Sequence, residues 1–339
     1  MRKVLLIYTG GTIGMVNDPE TGELRSFNFD YLYNHVPEIK RFNLEITSIS
    51  FQNPIDSSEI TLCHWIDLVE IIENRYSHFD GFVVLHGSDT MAYTASALSF
   101  MLQGIQKPVI LTGSQLPIGT IRTDGKENLI TAIEIASAYK GKQAVVQEVA
   151  VYFEYSLYRG NRSSKVSANQ FEAFQSPNFP ALAVAGVNID FNEQHLLRTS
   201  MKQVQFHKKL SNSVGLVKLY PGIPMEYYSP IFNASVVKGI VLESFGSGNA
   251  PSNPTLQQLI TSYIAEGGIV VNITQCSSGN VQQGAYQTSS FFQKIGVISG
   301  KDMTTEAAVT KLQFLLANYS KNEVVRQLQT SLAGEISID

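Results

Sequence analysis

The sequence is poor in charge, in cysteine and in long apolar runs. Charged residues make up only 16% of it, against roughly 25% in an ordinary globular chain. Disorder is excluded all the same, because 44% of the residues are hydrophobic. Coiled-coil and collagen-like repeats are excluded by composition too. So little charge on 339 residues implies surface hidden at interfaces, as in an oligomer. There is no basic excess either: Lys+Arg 25 against Asp+Glu 29 gives a net charge of -4. Nucleic acid is therefore not an expected partner.

The two cysteines, Cys63 and Cys276, are far apart in sequence and show no paired spacing. A disulfide scaffold is excluded, and a reduced, cytoplasmic setting is expected. The six histidines contain no HExxH and no His–x–His cluster, so no metal is expected. No apolar run approaches the roughly 18 residues that span a bilayer, so no membrane partner is expected. The opening MRKVLLIYTG offers only the short apolar run Val4–Tyr8, where a secretory leader needs about 7–15 apolar residues and a cleavage site.

What is present is the alternation of an α/β protein. Short buried-type runs at Val4–Tyr8, Gly81–Leu85, Pro108–Leu111 and Val149–Phe153 read as strands. Between them, Leu62–Tyr76, Thr90–Leu102 and Gly125–Tyr139 carry helical spacing, which predicts a mostly parallel sheet with right-handed crossovers. From Tyr158 to about Lys209 the periodicity is lost. It resumes with strands at Val214–Leu219, Gly239–Leu242 and Gly268–Asn272 and helices near Thr255–Glu266, Thr304–Asn318 and Asn322–Thr330. Two domains are expected: a larger N-terminal α/β domain over 1–200, with a linker to about 212, and a smaller C-terminal α/β domain over 213–339.

In open parallel sheets, ligands bind at the carboxyl ends of strands, so the loops just after strands are the places to look. The first is Thr9-Gly10-Gly11-Thr12-Ile13-Gly14, which fits neither the dinucleotide fingerprint nor a Walker loop. Its paired glycines allow close backbone approach, with Thr12 at the mouth of the sheet; taken alone, they equally describe a simple turn. The second, His86-Gly87-Ser88-Asp89-Thr90-Met91, sets a hydroxyl beside a carboxylate, or else merely caps a helix. The third is Thr112-Gly113-Ser114-Gln115-Leu116-Pro117, and the fourth runs from Arg159 to Lys165.

In this order and together with Gly248-Asn249-Ala250-Pro251, the loops resemble the bacterial-type L-asparaginase/glutaminase family, most closely its cytoplasmic type I members. The resemblance runs over essentially the whole chain. It implies an amidohydrolase that converts L-asparagine to L-aspartate and ammonia through an acyl-enzyme, without cofactor or metal. It assigns the nucleophile to Thr12 and the second hydroxyl–carboxylate–lysine group to Ser88, Asp89 and Lys165. Serine stands at 88 where the family usually has threonine, which keeps the hydroxyl and loses the methyl that restricts its rotamer. Asp89 also matches the partner of the substrate α-ammonium. Asp56, Ser57 and Ser58 match the segment that holds the α-carboxylate, and Ser114 a carbonyl that receives the leaving amide. Asn249 matches a residue that reaches into a neighbouring subunit's site, which implies a homodimer or homotetramer.

Some relatives carry an arginine near Glu243, where a second asparagine binds; a glutamate there argues against such regulation. The segment Met15–Asp30, a lid by resemblance, contains no tyrosine. The proton of Thr12 then leaves through the Ser88–Asp89–Lys165 group, a water, or Tyr31 or Tyr33. Two rival readings exist. One is the asparaginase-like subunit of a glutamyl-tRNA amidotransferase, disfavoured by the acidic balance and by a chain that starts directly on its first strand. The other is a non-catalytic amino-acid-binding protein, disfavoured by Thr12, Asp89 and Lys165 occurring together.

Overall fold

The computed structural model describes residues 1–14, 16, 17, 24, 25, 32, 34–284 and 287–337. The chain forms two compact units, Met1–Lys208 and Lys209–Asp339. In the first, β1 (Arg2–Gly10), β2 (Leu44–Ile55), β3 (Gly81–Leu85), β4 (Val109–Thr112) and β5 (Val149–Phe153) are joined in parallel. Antiparallel strands β6 (Ser156–Arg159), β7 (Ala183–Ala185) and β8 (Ile189–Phe191) extend the same sheet. The order across it is β8-β7-β6-β5-β4-β3-β1-β2.

Side-chain alternation decides which face each strand residue covers. Val4, Leu6 and Tyr8 of β1 join Val83, Leu85 and Ile110 beneath helix α3 (Gly125–Ser137), which contributes Leu129, Ala132, Ile133 and Ala136. Helices α1 (Leu62–Arg75) and α2 (Met91–Met101) pack on each other, with Trp65 Nε1 donating to Thr94 Oγ1 at 2.9 Å. Nearly every residue of α2 is buried, many of them small, which lets it lie close to its neighbours.

The second unit holds four parallel strands: β9 (Val214–Lys218), β10 (Gly239–Ser244), β11 (Ile269–Thr274) and β12 (Ile298–Ser299). Four helices accompany them among the described residues: α4 (Pro254–Ala265), α5 (Gln287–Lys294), α6 (Thr305–Asn318) and α7 (Lys321–Leu328). The expected mostly parallel α/β sheet and smaller C-terminal α/β domain are both found, and the strands of the smaller one are parallel. Three pieces go beyond the expectation. β2 is a half-exposed strand at the edge of its sheet, so its sequence alternates with Ser, Thr, Asn and Gln and offers no continuous apolar run. The segment after Tyr158, read as aperiodic, supplies β7 and β8, which are too short to show a period. β12 and α5 were not anticipated for the same reason, being short.

For the site, the order of the parallel strands matters most. β2-β1-β3-β4-β5 reverses direction between β1 and β3, so their carboxyl-end loops part and leave a crevice there. Those two loops carry Thr12 and Ser88-Asp89.

Candidate active site

Glycine lets the loops of the first unit touch backbone to backbone. A Cβ on Gly11 (φ 86°) would lie 2.4 Å from the Gly87 Cα, and one on Gly87 would lie 2.6 Å from the Ser57 hydroxyl. The Thr12 loop, the Ser88 loop and the Ser57 turn are thereby stacked at the crevice. Gly113 closes the third loop onto the His86 carbonyl in the same way, a Cβ there standing 2.3 Å away. Thr12 itself opens a short 3-10 turn, Thr12–Gly14, and is half-buried. Under this turn, Tyr8 donates to the Gly11 carbonyl at 3.4 Å, and burial pushes its phenol up to about 12.

The Ser88 loop is braced from below by a chain that the sequence reading did not anticipate. His86 is fully buried, with Nδ1 2.7 Å from the Gly87 carbonyl and Nε2 2.9 Å from Thr94 Oγ1. A carbonyl only accepts, so Nδ1 carries the proton and Nε2 accepts from Thr94, whose oxygen in turn accepts from Trp65. Burial draws the imidazole down to about 4, keeping it neutral. Thr90 does not cap α2 with its side chain; its hydroxyl donates to the Ser57 carbonyl at 2.6 Å and ties the Ser57 turn to the Ser88 loop.

Lys165 reaches this group from the far side. It lies on a short antiparallel pairing of Ser164–Lys165 with Phe174–Gln175, and Phe174 packs on Phe153 of β5 at 5.0 Å between rings. The turn before it is anchored by Arg159, whose Nε meets Glu148 at 2.7 Å in a buried pair. The ammonium donates to Ser88 Oγ at 2.8 Å and to Asp89 Oδ1 at 2.6 Å. The lysine side chain is 16% exposed and the aspartate 64%, so the pair is sealed behind and open in front.

The other sequence candidates are placed as follows. Asp56 caps the Ser57–Glu59 turn, accepting from the Ser58 amide and hydroxyl at 2.8 Å each, which lowers its carboxyl below the usual range. Its carboxylate and the Ser58 hydroxyl are thus committed to each other, and of the two serines Ser57 is the buried one. Ser114 is buried and donates to the Leu116 carbonyl at 2.6 Å. Buried Asp124, also missed from sequence, gathers the amides of Gln115 and Leu116; burial raises its carboxyl despite these bonds. Asn249 belongs to the second unit, where its backbone pairs both ways with Phe245 and the Asn272 amide holds the adjacent Gly248 carbonyl. Glu243 accepts from Thr305 Oγ1 at 2.6 Å and faces Lys218 at 3.3 Å. The segment Met15–Asp30 with Tyr31 and Tyr33 lies largely outside the described residues, apart from Val16–Asn17 pairing with Leu24–Arg25.

Among the described residues no cluster of three His, Cys, Asp or Glu is placed to hold a metal, and no helix is long and apolar enough to cross a membrane. Known proteins resemble this chain along its length. The "Asparaginase, N-terminal" model matches residues 3–197, and the "Glutaminase/Asparaginase C-terminal domain" model matches 213–328. L-asparaginase 1 of Escherichia coli (strain K12) is 39% identical over 340 residues, spanning 100% of this chain and 99% of the relative. A glutamyl-tRNA(Gln) amidotransferase subunit of Pyrococcus abyssi is 34% identical over 343 residues, covering 99% of this chain and 77% of its own. The crystal structure of L-asparaginase I from Vibrio cholerae superposes with a TM-score of 0.90 at 38% identity, covering 99% of both chains. By sequence over both domains and by fold, the chain belongs to the asparaginase family of amidohydrolases.

Proposed function

We propose that the protein is a cytoplasmic L-asparaginase that hydrolyses L-asparagine to L-aspartate and ammonia with Thr12 as nucleophile. The observation that carries this reading is the Ser88–Lys165–Asp89 cluster, hydrogen-bonded at the strand ends that flank the reversal in sheet order. Thr12 Oγ attacks the side-chain carbonyl, and its proton passes by way of the Ser88–Lys165 group to the departing amide nitrogen, which leaves as ammonia when the C–N bond breaks. Water then attacks the ester, gives one of its protons to Thr12 Oγ and releases aspartate.

Substrate ends are held by the neighbours. Asp89 Oδ1 faces Lys165, and its other oxygen receives the α-ammonium. The Ser57 hydroxyl binds the α-carboxylate on a turn that Asp56 and Ser58 stiffen. The Ser114 carbonyl receives the leaving amide, and Asn249 completes the site of a neighbouring subunit in a homo-oligomer. A pocket longer by one methylene changes binding by about 1–3 kcal/mol, so the asparagine preference rests on small loop positions. The test is ammonia release from asparagine, glutamine and succinamic acid by the purified protein. Fast release from asparagine supports the reading. Binding of asparagine without release would replace it with an amino-acid-binding role.

A further inference from the structure

We infer that Gln115 is a positioning residue that clamps Ser88 to the segment carrying Lys165, and so sets the geometry of the proton-handling group. This rests on the function proposed above. Three separate stretches of chain meet at its side-chain amide. Nε2 donates to the Gln170 carbonyl at 2.9 Å, and Gln170 lies in the connection between the Ser164–Lys165 and Phe174–Gln175 strands. That carbonyl can only accept, which fixes which end of the amide is nitrogen and turns Oε1 away from it. Oε1 lies 3.2 Å from Ser88 Oγ and accepts a hydrogen bond from it.

The consequence for Ser88 is directional. With its hydrogen committed to Gln115, the hydroxyl presents a lone pair to Lys165 Nζ at 2.8 Å. Serine has no γ-methyl, so its χ1 is otherwise unrestricted; here two hydrogen bonds select the rotamer instead. The clamp itself is held. The Gln115 amide N–H donates to Asp124 Oδ2 at 2.8 Å, and Asn128 Nδ2 binds both Asp124 Oδ2 and the Gly113 carbonyl, at 3.3 and 3.0 Å. The glutamine thus stands on the well-braced third loop and reaches to the second loop and the lysine segment at once.

The experiment is a double-mutant cycle on asparagine hydrolysis with Gln115→Met and Ser88→Ala. Gln115→Met should lower kcat about tenfold, the worth of one hydrogen bond in the reacting geometry. KM should stay within about twofold, since Gln115 acts on the reacting group and not on substrate binding. In the Ser88→Ala background the same substitution should cost almost nothing further, because the residue acts through Ser88. If Gln115→Met does not fold, Gln115→Glu replaces it in the cycle, keeping shape while opposing the Gln170 carbonyl with an oxygen. Parent-like kcat in the Gln115 variant, or losses that multiply in the double variant, would overturn the clamp. A Ser88→Ala protein that keeps the parent kcat would instead overturn the role proposed for Ser88 itself.

Discussion

Each unit of the molecule holds a lysine–carboxylate pair in close contact, and the two pairs sit in opposite surroundings. Lys165 and Asp89 are 2.6 Å apart in the first unit, and Lys311 and Glu335 are 2.6 Å apart in the second. The first pair is 16% and 64% exposed; the second is 0% and 0%. The remaining contacts separate them further. Lys311 spends its other donors on the Leu328 and Thr330 carbonyls, and Glu335 accepts the Leu332 and Ala333 amides. That pair is satisfied by backbone on all sides and fastens the tail after α7 to α6. Lys165 instead faces a hydroxyl and an open carboxylate at the end of a sheet. Pair distance does not separate the two lysines; what their other donors meet does.

The largest expected effect is on the open pair and its neighbour. Thr12→Ala should abolish turnover in a protein that melts like the parent, since a half-buried hydroxyl contributes little to packing. Lys165→Met keeps the length of the side chain and removes the amine, and should cost at least about two decades in kcat, the scale of general acid–base assistance. Steady-state ammonia release checks both. Thr12→Ala protein turning over at the parent rate would remove the nucleophile from the scheme.

For the sealed pair the expectation reverses: stability falls while the chemistry of the folded fraction is spared. Lys311→Met strands a buried carboxylate, a loss of about 3–5 kcal/mol. Glu335→Gln keeps an oxygen for the two amides, so the double variant Lys311→Met/Glu335→Gln should recover much of that loss. Denaturant unfolding of the three proteins measures it. A single variant as stable as the parent would mean that the tail is held by the apolar contact of buried Ile336 and not by the ion pair.

Acid separates the units again. Burial pulls the His86 imidazole from an ordinary 6.5 down to about 4 in the folded protein. A folded value below the unfolded one means the unfolded chain binds more protons between the two. Stability is therefore present in full above pH 6.5 and is lost as pH falls towards 4, by about 3 kcal/mol. His86→Gln should be less stable at pH 7 but flatter over that window, and melting curves from pH 7 to 4 compare the two slopes. Identical slopes would take His86 out of the acid response.

Much of this was legible in the order of residues alone. Glycine pairs and hydroxyl–carboxylate neighbours after apolar runs marked the strand-end loops, because buried parallel strands leave continuous apolar stretches in sequence. The edge strand Leu44–Ile55 and the antiparallel strands after Tyr158 left no such stretch, being half-exposed or short. Partners distant in sequence were equally hidden. Nothing local ties Trp65 to Thr94 and His86, Gln115 to Ser88 and Gln170, or Lys311 to Glu335; only the fold brings them within hydrogen-bond reach. Ser88, Asp89 and Lys165 were grouped by resemblance, and the fold adds the contacts among them.

The smallest expected effect concerns the tyrosines near the first loop. Tyr8 lies below Thr12 with its hydroxyl on the Gly11 carbonyl, and at about 12 it stays protonated at neutral pH. It therefore serves as a donor to the turn and not as a base. If the Ser88–Lys165 group takes the proton of Thr12, no phenol is needed, and Tyr31→Phe and Tyr33→Phe should each keep kcat within about twofold, far from the factor of about 100 that a lost general base brings. Shortening Asp18–Gly22, which lies between paired Val16–Asn17 and Leu24–Arg25, should impair turnover by leaving the site open to solvent, which weakens the electrostatic contacts that hold and polarise the amide. The variants are compared on asparagine at saturating concentration, with melting curves to show that each is folded. A loss near two decades from either Tyr→Phe change in a folded protein would restore a phenol to the chemistry and leave the Lys165 pair a purely positioning role.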